Sequence, residues 1–199
     1  MQAAADTTIV LASSSPFRRA LLQRLGIGFQ VASPDLDESP KAGEAPEALV
    51  LRLAEAKAHA VSRAFPNALL IGSDQVAVMG NRIMGKPGGY EAAVEQLLAS
   101  SGRMVRFLTA VCLLNAATGH TRIDMVPTMV KVRALDRDGI EDYVRREKPY
   151  GCAGSFQIEG LGIALVERIE SEDPTALIGL PLISLTAMLR AEGIDVVCR

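Results

Sequence analysis

Tryptophan is absent from this sequence, and aromatic residues of all kinds make up only 4% of it. There is no block of one charge sign either: 21 Lys and Arg are scattered among 23 Asp and Glu, for a formal charge of −2. Few aromatics and no basic arm exclude broad binding to nucleic-acid backbones, so any anion recognition has to be local and small. Cysteine is scarce too. Cys112, Cys152 and Cys198 lie far apart, are odd in number and form no CxxC pair, which fits free thiols in a reducing compartment. The opening stretch "MQAAADTTIVLASSS" has no charged n-region and no long apolar core, unlike a signal peptide. No apolar run approaches the roughly 18 residues of a membrane span. The expectation is a cytoplasmic protein.

What is present is an ordinary globular composition, 49% hydrophobic and 22% charged over 199 residues. That length suits one domain or two small lobes and needs no disulfide or metal to fold. "TTIVLAS" (7–13) reads as a buried strand, followed by a helix that starts at Pro16 and ends at Gly26. "FQVAS" (29–33) reads as a second strand, and 34–46 as a loop rich in Pro and acid. A long helix is expected over about 46–64, then a third buried strand over 68–74 that 75–79 extends or follows. A short strand and a Gly/Pro loop precede a helix over 90–102. Two strands joined by a turn near Thr118–Gly119 come next, then a helix in "DGIEDYVRRE". A glycine-punctuated loop leads to a last strand, and "PLISLTAMLRAEG" makes a final helix. Interleaved helices and strands with a strand-rich middle predict an α/β protein with a mixed sheet. No linker separates independent domains, so residues 1–199 read as a single domain.

Several residues stand out as candidates for chemistry. A strand ending in Ser13, Ser14 and Ser15 delivers hydroxyls and helix N–H groups to the sheet edge where α/β proteins bind ligands. Arg18 and Arg19 fall in the first turn of the following helix, where the dipole disfavours cations, so they make more sense beside a bound phosphate. A Ser cap with two solvated arginines is the plain alternative. Asp74 ends "LLIGSD", directly after a buried strand, an unusual place for a carboxylate without a role. Asp35, Asp37 and Glu38 sit in the acidic loop and, with Asp74, offer hard oxygen ligands for Mg²⁺ or Mn²⁺. Lys57 interrupts the apolar stripe Val50, Leu53, Ala54 and Val61; it either snorkels or reaches into a cleft. Lys86 in "MGKPGG" looks like part of a phosphate loop, although the Walker pattern is missing. His59 and His120 share no metal spacing, no GxSxG occurs, and the cysteines sit in packing contexts. Basic groups for phosphate with carboxylates for a hard metal suit hydrolysis of a phosphoric anhydride.

In order along the chain, "LASSSPFRRALL", "DLDES", "LAEAKA", "GSDQVAV", "MGKPGG", "CAGSFQIEG" and "DPTALIGLPL" resemble the Maf family of nucleotide pyrophosphatases from about residue 9 to residue 190. Within it, "GSDQVAV" and "GSFQIEGLGI" are similar to the branch that hydrolyses 7-methyl-GTP to 7-methyl-GMP and pyrophosphate. The sister branch, acting on dTTP and UTP, has Arg, Thr and Gln where this chain has Phe17, Gln75 and Glu159. The resemblance implies an elongated, twisted mixed sheet flanked by helices, with two lobes around a cleft. It also implies a divalent cation, Mg²⁺ or Mn²⁺, and a homodimer, with no nucleic-acid or membrane partner.

By motif position, the resemblance implies that Ser13, Arg18, Arg19, Lys57 and Lys86 hold the triphosphate. Glu38 and Asp74 would serve the metal, with Asp74 also accepting the proton of a water that attacks the α-phosphorus. Phe17, Gln75 and Glu159 would select the base. N7-methylated guanine is a cation, which a carboxylate at Glu159 favours and an aromatic at Phe17 can stack on. Members of this branch carry Trp at the position of Phe17, and Trp is the stronger partner for a cation. Two other readings remain at this point: a dTTP/UTP pyrophosphatase, and a nucleotide-binding regulator of cell division without catalysis. A Rossmann-like binder is opposed by the missing GxGxxG after the first strand.

Overall fold

A computed structural model describes residues 7–197; Cys198 lies outside them. Strands and helices alternate as expected. The order is β1 (Ile9–Ala12), α1 (Pro16–Gln23), β2 (Gln30–Ala32), α2 (Pro46–Ala60), β3 (Leu69–Met79) and β4 (Arg82–Met84). Then come α3 (Tyr90–Ser100), β5 (Met104–Asn115), β6 (His120–Val132), α4 (Arg137–Glu147), β7 (Val166–Ser171) and α5 (Leu182–Ala191). Seven strands form one open sheet in the order β2-β1-β3-β5-β6-β7, with β4 paired to β3. The sheet is mixed: β1 runs parallel to β2 and β3, whereas β3–β4 and β6–β7 are antiparallel. The α/β class with a mixed sheet is therefore observed.

The chain divides into two compact units, with boundaries inside β3, β5 and β6. One unit holds the chain up to Asp74, Thr109–Val126 and the chain from Asp173 on; the other holds Gln75–Leu108 and Pro127–Glu172. In the first unit, side chains alternate across the sheet. Ile9, Leu11, Leu69, Ile71, Val111 and Leu113 share a buried cluster with Leu21 and Leu22 of α1 and with Leu182, Leu185, Met188 and Leu189 of α5. The even-numbered positions take the opposite face, where α2 lies. In the second unit α3 packs on α4, and Phe107 meets Phe156 edge to face at 6.0 Å.

Local chemistry explains the helix ends. Ser15 caps α1, its hydroxyl accepting from the Arg18 N–H, and Pro16 takes the first helical position. Asp136 caps α4 through the Gly139 N–H at 2.8 Å. Helix α2 stops at Ala60, short of the expected 64. The Ser62 N–H and hydroxyl both go to the His59 carbonyl, which closes a turn in place of another helical step. Of the two readings left open for 75–79, extension is the one observed: β3 runs unbroken from Leu69 to Met79, which puts Asp74 mid-strand. Among the described residues, no helix is long and apolar enough to cross a membrane.

Candidate active site

Strand order positions the site. β1 lies between β2 and β3, so the chain leaves β1 to one side through α1 and returns past it through α2. This reversal is a switch point of the kind at which open α/β sheets bind ligands, and it sets the carboxyl end of β1 beside the middle of β3. Ala12 pairs with Gly72, which brings Ser13 level with Ser73 and one residue short of Asp74.

Asp74 and Lys57 meet there. Asp74 extends from the face of β3 covered by α2, and Lys57 comes down from α2 onto it. Their Nζ–Oδ1 distance is 2.6 Å, and both residues are buried, at 4% and 5% exposure. The approach depends on Gly72. A Cβ at that position would run into the Ala54 carbonyl oxygen and come within 2.9 Å of the Ala58 nitrogen, both backbone atoms of α2. The apolar stripe of α2 is buried as its spacing predicts, Lys57 included. Lys57 does not snorkel; it reaches inward to a carboxylate.

Glu38 closes the group from the acidic loop, 2.9 Å from Lys57 Nζ. Its side chain keeps 46% exposure, so this carboxylate faces outward while Asp74 faces inward. Of the three loop acids, Glu38 is thereby the one brought to the site: Asp37 accepts from the Ser39 N–H, and Asp35 is exposed. Arg18 and Arg19 part company. Arg19 is exposed on α1, whereas Arg18 turns inward, its Nε donating to the Gly179 carbonyl at 2.8 Å and its Nη1 3.5 Å from Ser13 Oγ. Buried Ser13 also accepts from the Ser15 N–H at 3.1 Å.

The electrostatics follow from this packing. Burial pushes the Asp74 carboxyl above the usual carboxylate range, while the charge and hydrogen bond of Lys57 and the charge of Arg18 pull it back. Burial likewise lowers Arg18, opposed by Asp74 and Glu38. A buried carboxylate with raised basicity beside two cations is the arrangement expected of a proton acceptor working on an anionic substrate. The metal expectation can be tested on the same atoms. Among the described residues no group of three or more His, Cys, Asp or Glu could hold an ion. Two carboxylates, Asp74 and Glu38, do converge on one positive centre, Lys57 Nζ. Mg²⁺ is commonly held by one or two carboxylates plus substrate phosphates, so this donor pair fits.

The remaining expected residues lie in the second unit. Gln75 follows Asp74 on β3 and is half-buried; Lys86 and Glu159 are exposed on loops. Lys86 and Glu159 share the surroundings of Cys152, whose thiol is pushed up to about 11 by burial, then by Glu159 and Glu147, against the pull of Lys86. The Glu159 loop is tied down by two groups that sequence reasoning missed. The Tyr143 hydroxyl accepts from the Gln157 N–H at 2.9 Å, and Glu147 accepts from the Leu161 N–H at 2.9 Å. Phe17 is half-buried on α1 in the first unit. His59 and His120 are surface residues, paired with Glu55 and Glu192. Cys112 is buried and its thiol is pushed up to about 12, so it is inert at neutral pH.

Sequence reasoning also missed the support under Arg18. The Ser73 hydroxyl is shared between the Ala110 and Gly179 carbonyls at 2.8 and 2.9 Å, and Thr109 donates to the Ala176 carbonyl at 2.9 Å. Asp173 accepts from Thr175 and from the Ile183 N–H, fixing the same loop onto α5. Motif "DPTALIGLPL" was the only signal of it, and that signal named no contact.

A family model described as Maf-like protein matches residues 8–192. A protein of Nitrosococcus oceani named 7-methyl-GTP pyrophosphatase is 52% identical over 192 residues, 96% of each chain. One of the same name from Pseudomonas fluorescens is 54% identical over 187 residues, covering 94% of this chain and 97% of its own. Another, from Alcanivorax borkumensis, is 54% identical over 188 residues, covering 94% and 95%.

Proposed function

The chain belongs to the Maf family, and from that premise we propose that it is a nucleoside triphosphate pyrophosphatase that hydrolyses 7-methyl-GTP to 7-methyl-GMP and pyrophosphate. The observation that carries this reading is the buried Asp74 of β3, paired with Lys57 and within the charge influence of Arg18, beside the carboxyl end of β1. Relatives at 52–54% identity named for this activity support the choice of nucleotide.

In the proposed reaction a water oxygen bonds to the α-phosphorus, and the bond to the bridging oxygen of the β-phosphate breaks. Pyrophosphate leaves with that oxygen, and the water's proton passes to Asp74. Burial gives Asp74 the basicity for this, and Lys57 keeps it ionised between turnovers. Arg18, fixed by Gly179, and the exposed Arg19 and Lys86 supply positive charge for the phosphates. Asp74 and Glu38 would hold a divalent cation, which when bound supplies charge to polarise the phosphoryl group. Phe17, Gln75 and Glu159 are assigned to the base: an aromatic to stack on the methylated ring and a carboxylate to favour its positive charge.

The test is pyrophosphate release from a panel of nucleotides with Mg²⁺ or Mn²⁺. 7-Methyl-GTP should give the highest kcat/KM. Preference for dTTP or UTP would move the protein to the sister branch, and absence of turnover on every triphosphate would leave a binding protein. Asp74→Asn should lower kcat at least about a hundredfold, the scale of a lost general base, with substrate binding still measurable. Near-normal turnover in that variant would remove Asp74 from its assigned role.

A further inference from the structure

Glu38 reaches the site from a stretch with no helix or strand between Ser33 and Ala45, and yet it sits 2.9 Å from Lys57. Its own carboxylate is half-exposed. Besides that pair with Lys57, the loop is tied by Arg52. From the second turn of α2 its Nε donates to Glu44 Oε1 at 2.6 Å and its Nη2 to Glu44 Oε2 at 2.7 Å, a two-pronged pairing. The same Nη2 lies 3.2 Å from the carbonyl oxygen of Ser39, the residue after Glu38. Glu44 Oε2 also accepts from the Lys41 N–H at 2.9 Å, and Asp37, the residue before Glu38, accepts from the Ser39 N–H at 2.9 Å. Glu38 thus directly precedes a turn whose two ends, Ser39 and Glu44, are tied to one guanidinium.

The pairing is sheltered: the Glu44 side chain keeps 9% exposure and that of Arg52 26%. Lys57 sits five residues further along the same helix, about 7.5 Å up its axis. One helix therefore carries both the ammonium that Glu38 meets and the arginine that sets where Glu38 stands. We propose that Arg52, through Glu44 and Ser39, is a positioning residue that holds Glu38 at the Lys57–Asp74 pair for catalysis. The proposal rests on the pyrophosphatase reading. Lysine cannot replace Arg52, because a single ammonium cannot serve both Glu44 oxygens and the Ser39 carbonyl in a fixed plane.

A double-mutant cycle separates this role from general support of the fold. kcat/KM for 7-methyl-GTP is measured in the wild type, Arg52→Ala, Glu38→Gln and the double variant. If Arg52 acts through Glu38, Arg52→Ala costs tenfold or more with Glu38 present and less than twofold once Glu38 is gone. A purely structural arginine costs the same factor in both backgrounds. A ratio of the two costs of fivefold or more supports the proposal, and a smaller ratio overturns it. If Arg52→Ala does not fold, Glu44→Gln takes its place under the same criterion. If Glu38→Gln turns over too slowly to follow, the cycle is read on Kd for the α,β-methylene analogue of 7-methyl-GTP. A wild-type protein that hydrolyses no triphosphate overturns the functional reading and the role of Arg52 with it. A ratio below fivefold in an active wild type overturns the role of Arg52 alone.

Discussion

At the scale of single residues, the charge on Asp74 decides when the protein can work. Its carboxyl is raised by burial and restrained chiefly by Lys57. The base is active only when ionised, so activity falls as pH drops through its folded pKa, which lies above the ordinary 3.8. Lys57→Met removes the largest restraint. The acid limb of the kcat/KM profile should then move to higher pH, and a limb that stays in place would show that Asp74 is not the titrating base. The linkage to stability has the matching sign. A carboxyl with a raised folded pKa favours the fold below its unfolded pKa, and that contribution is lost as pH rises through the folded value. The functional ionised state is thus the costly one, as at many active sites. Phe17 is the other residue whose identity sets behaviour. Phe17→Trp should raise the ratio of 7-methyl-GTP to GTP hydrolysis, since Trp is the better partner for a cationic ring. An unchanged ratio in steady-state assays would count against stacking at this position.

Helix α2 and strand β3 show how elements make the site. Lys57 meets Asp74 because α2 lies hard against β3 at Gly72, where a methyl group would strike the backbone at Ala54 and Ala58. Backbone atoms of a helix cannot step aside as a flexible side chain does, so Gly72→Ala has to lift α2 from the sheet. Overpacking of this kind costs about 1–3 kcal/mol, and in a chain of this size each kcal/mol is worth about 2–4 °C of Tm. The prediction is a lower Tm together with lost turnover, because Lys57 and Arg52 ride on the displaced helix. Thermal unfolding and a kcat assay on the same preparation check it; a variant with unchanged Tm would refute the close packing. Much of this pair was legible in the sequence. The stripe Val50, Leu53, Ala54, Lys57 and Val61 gave the buried face and marked Lys57 as out of place. The sequence left open whether 75–79 extends the strand, because Ser73, Asp74 and Gln75 are polar positions in an otherwise apolar run. They stay in β3 because their partners come from elsewhere: Lys57 for Asp74, and the Ala110 and Gly179 carbonyls for Ser73. Such partners, 17 to 106 residues away, leave no periodic trace.

Over the whole molecule, the first unit is closed by the last part of the chain. The segment from Asp173 on supplies the Gly179 carbonyl that fixes Arg18, 161 positions away, and the Ala176 carbonyl that Thr109 holds. Gly179 has φ +123°, a conformation only glycine takes readily, and its Cβ position lies in van der Waals contact with the Arg18 side chain at 3.5 Å. The same segment buries Leu180, Leu182, Leu185, Met188 and Leu189 in the cluster that contains β1 and α1. Hydrophobic spacing was enough to predict α5, but it could not say that α5 covers the first strand. Loss of one such buried aliphatic side chain costs about 2–5 kcal/mol, against a total stability of roughly 5–15 kcal/mol for a natural protein. Removing five together exceeds what the rest can offset. A chain ending at Glu172 should therefore show no cooperative thermal transition in its first unit and no pyrophosphate release, although every residue assigned to the chemistry is still present. Circular dichroism and the nucleotide assay on that truncation read both outcomes. A truncated chain that melts within a few degrees of the full protein would mean that the N-terminal segments hold the Arg18–Asp74–Lys57 group by themselves. An intact fold with lost turnover would assign the segment's role to the Gly179 carbonyl alone.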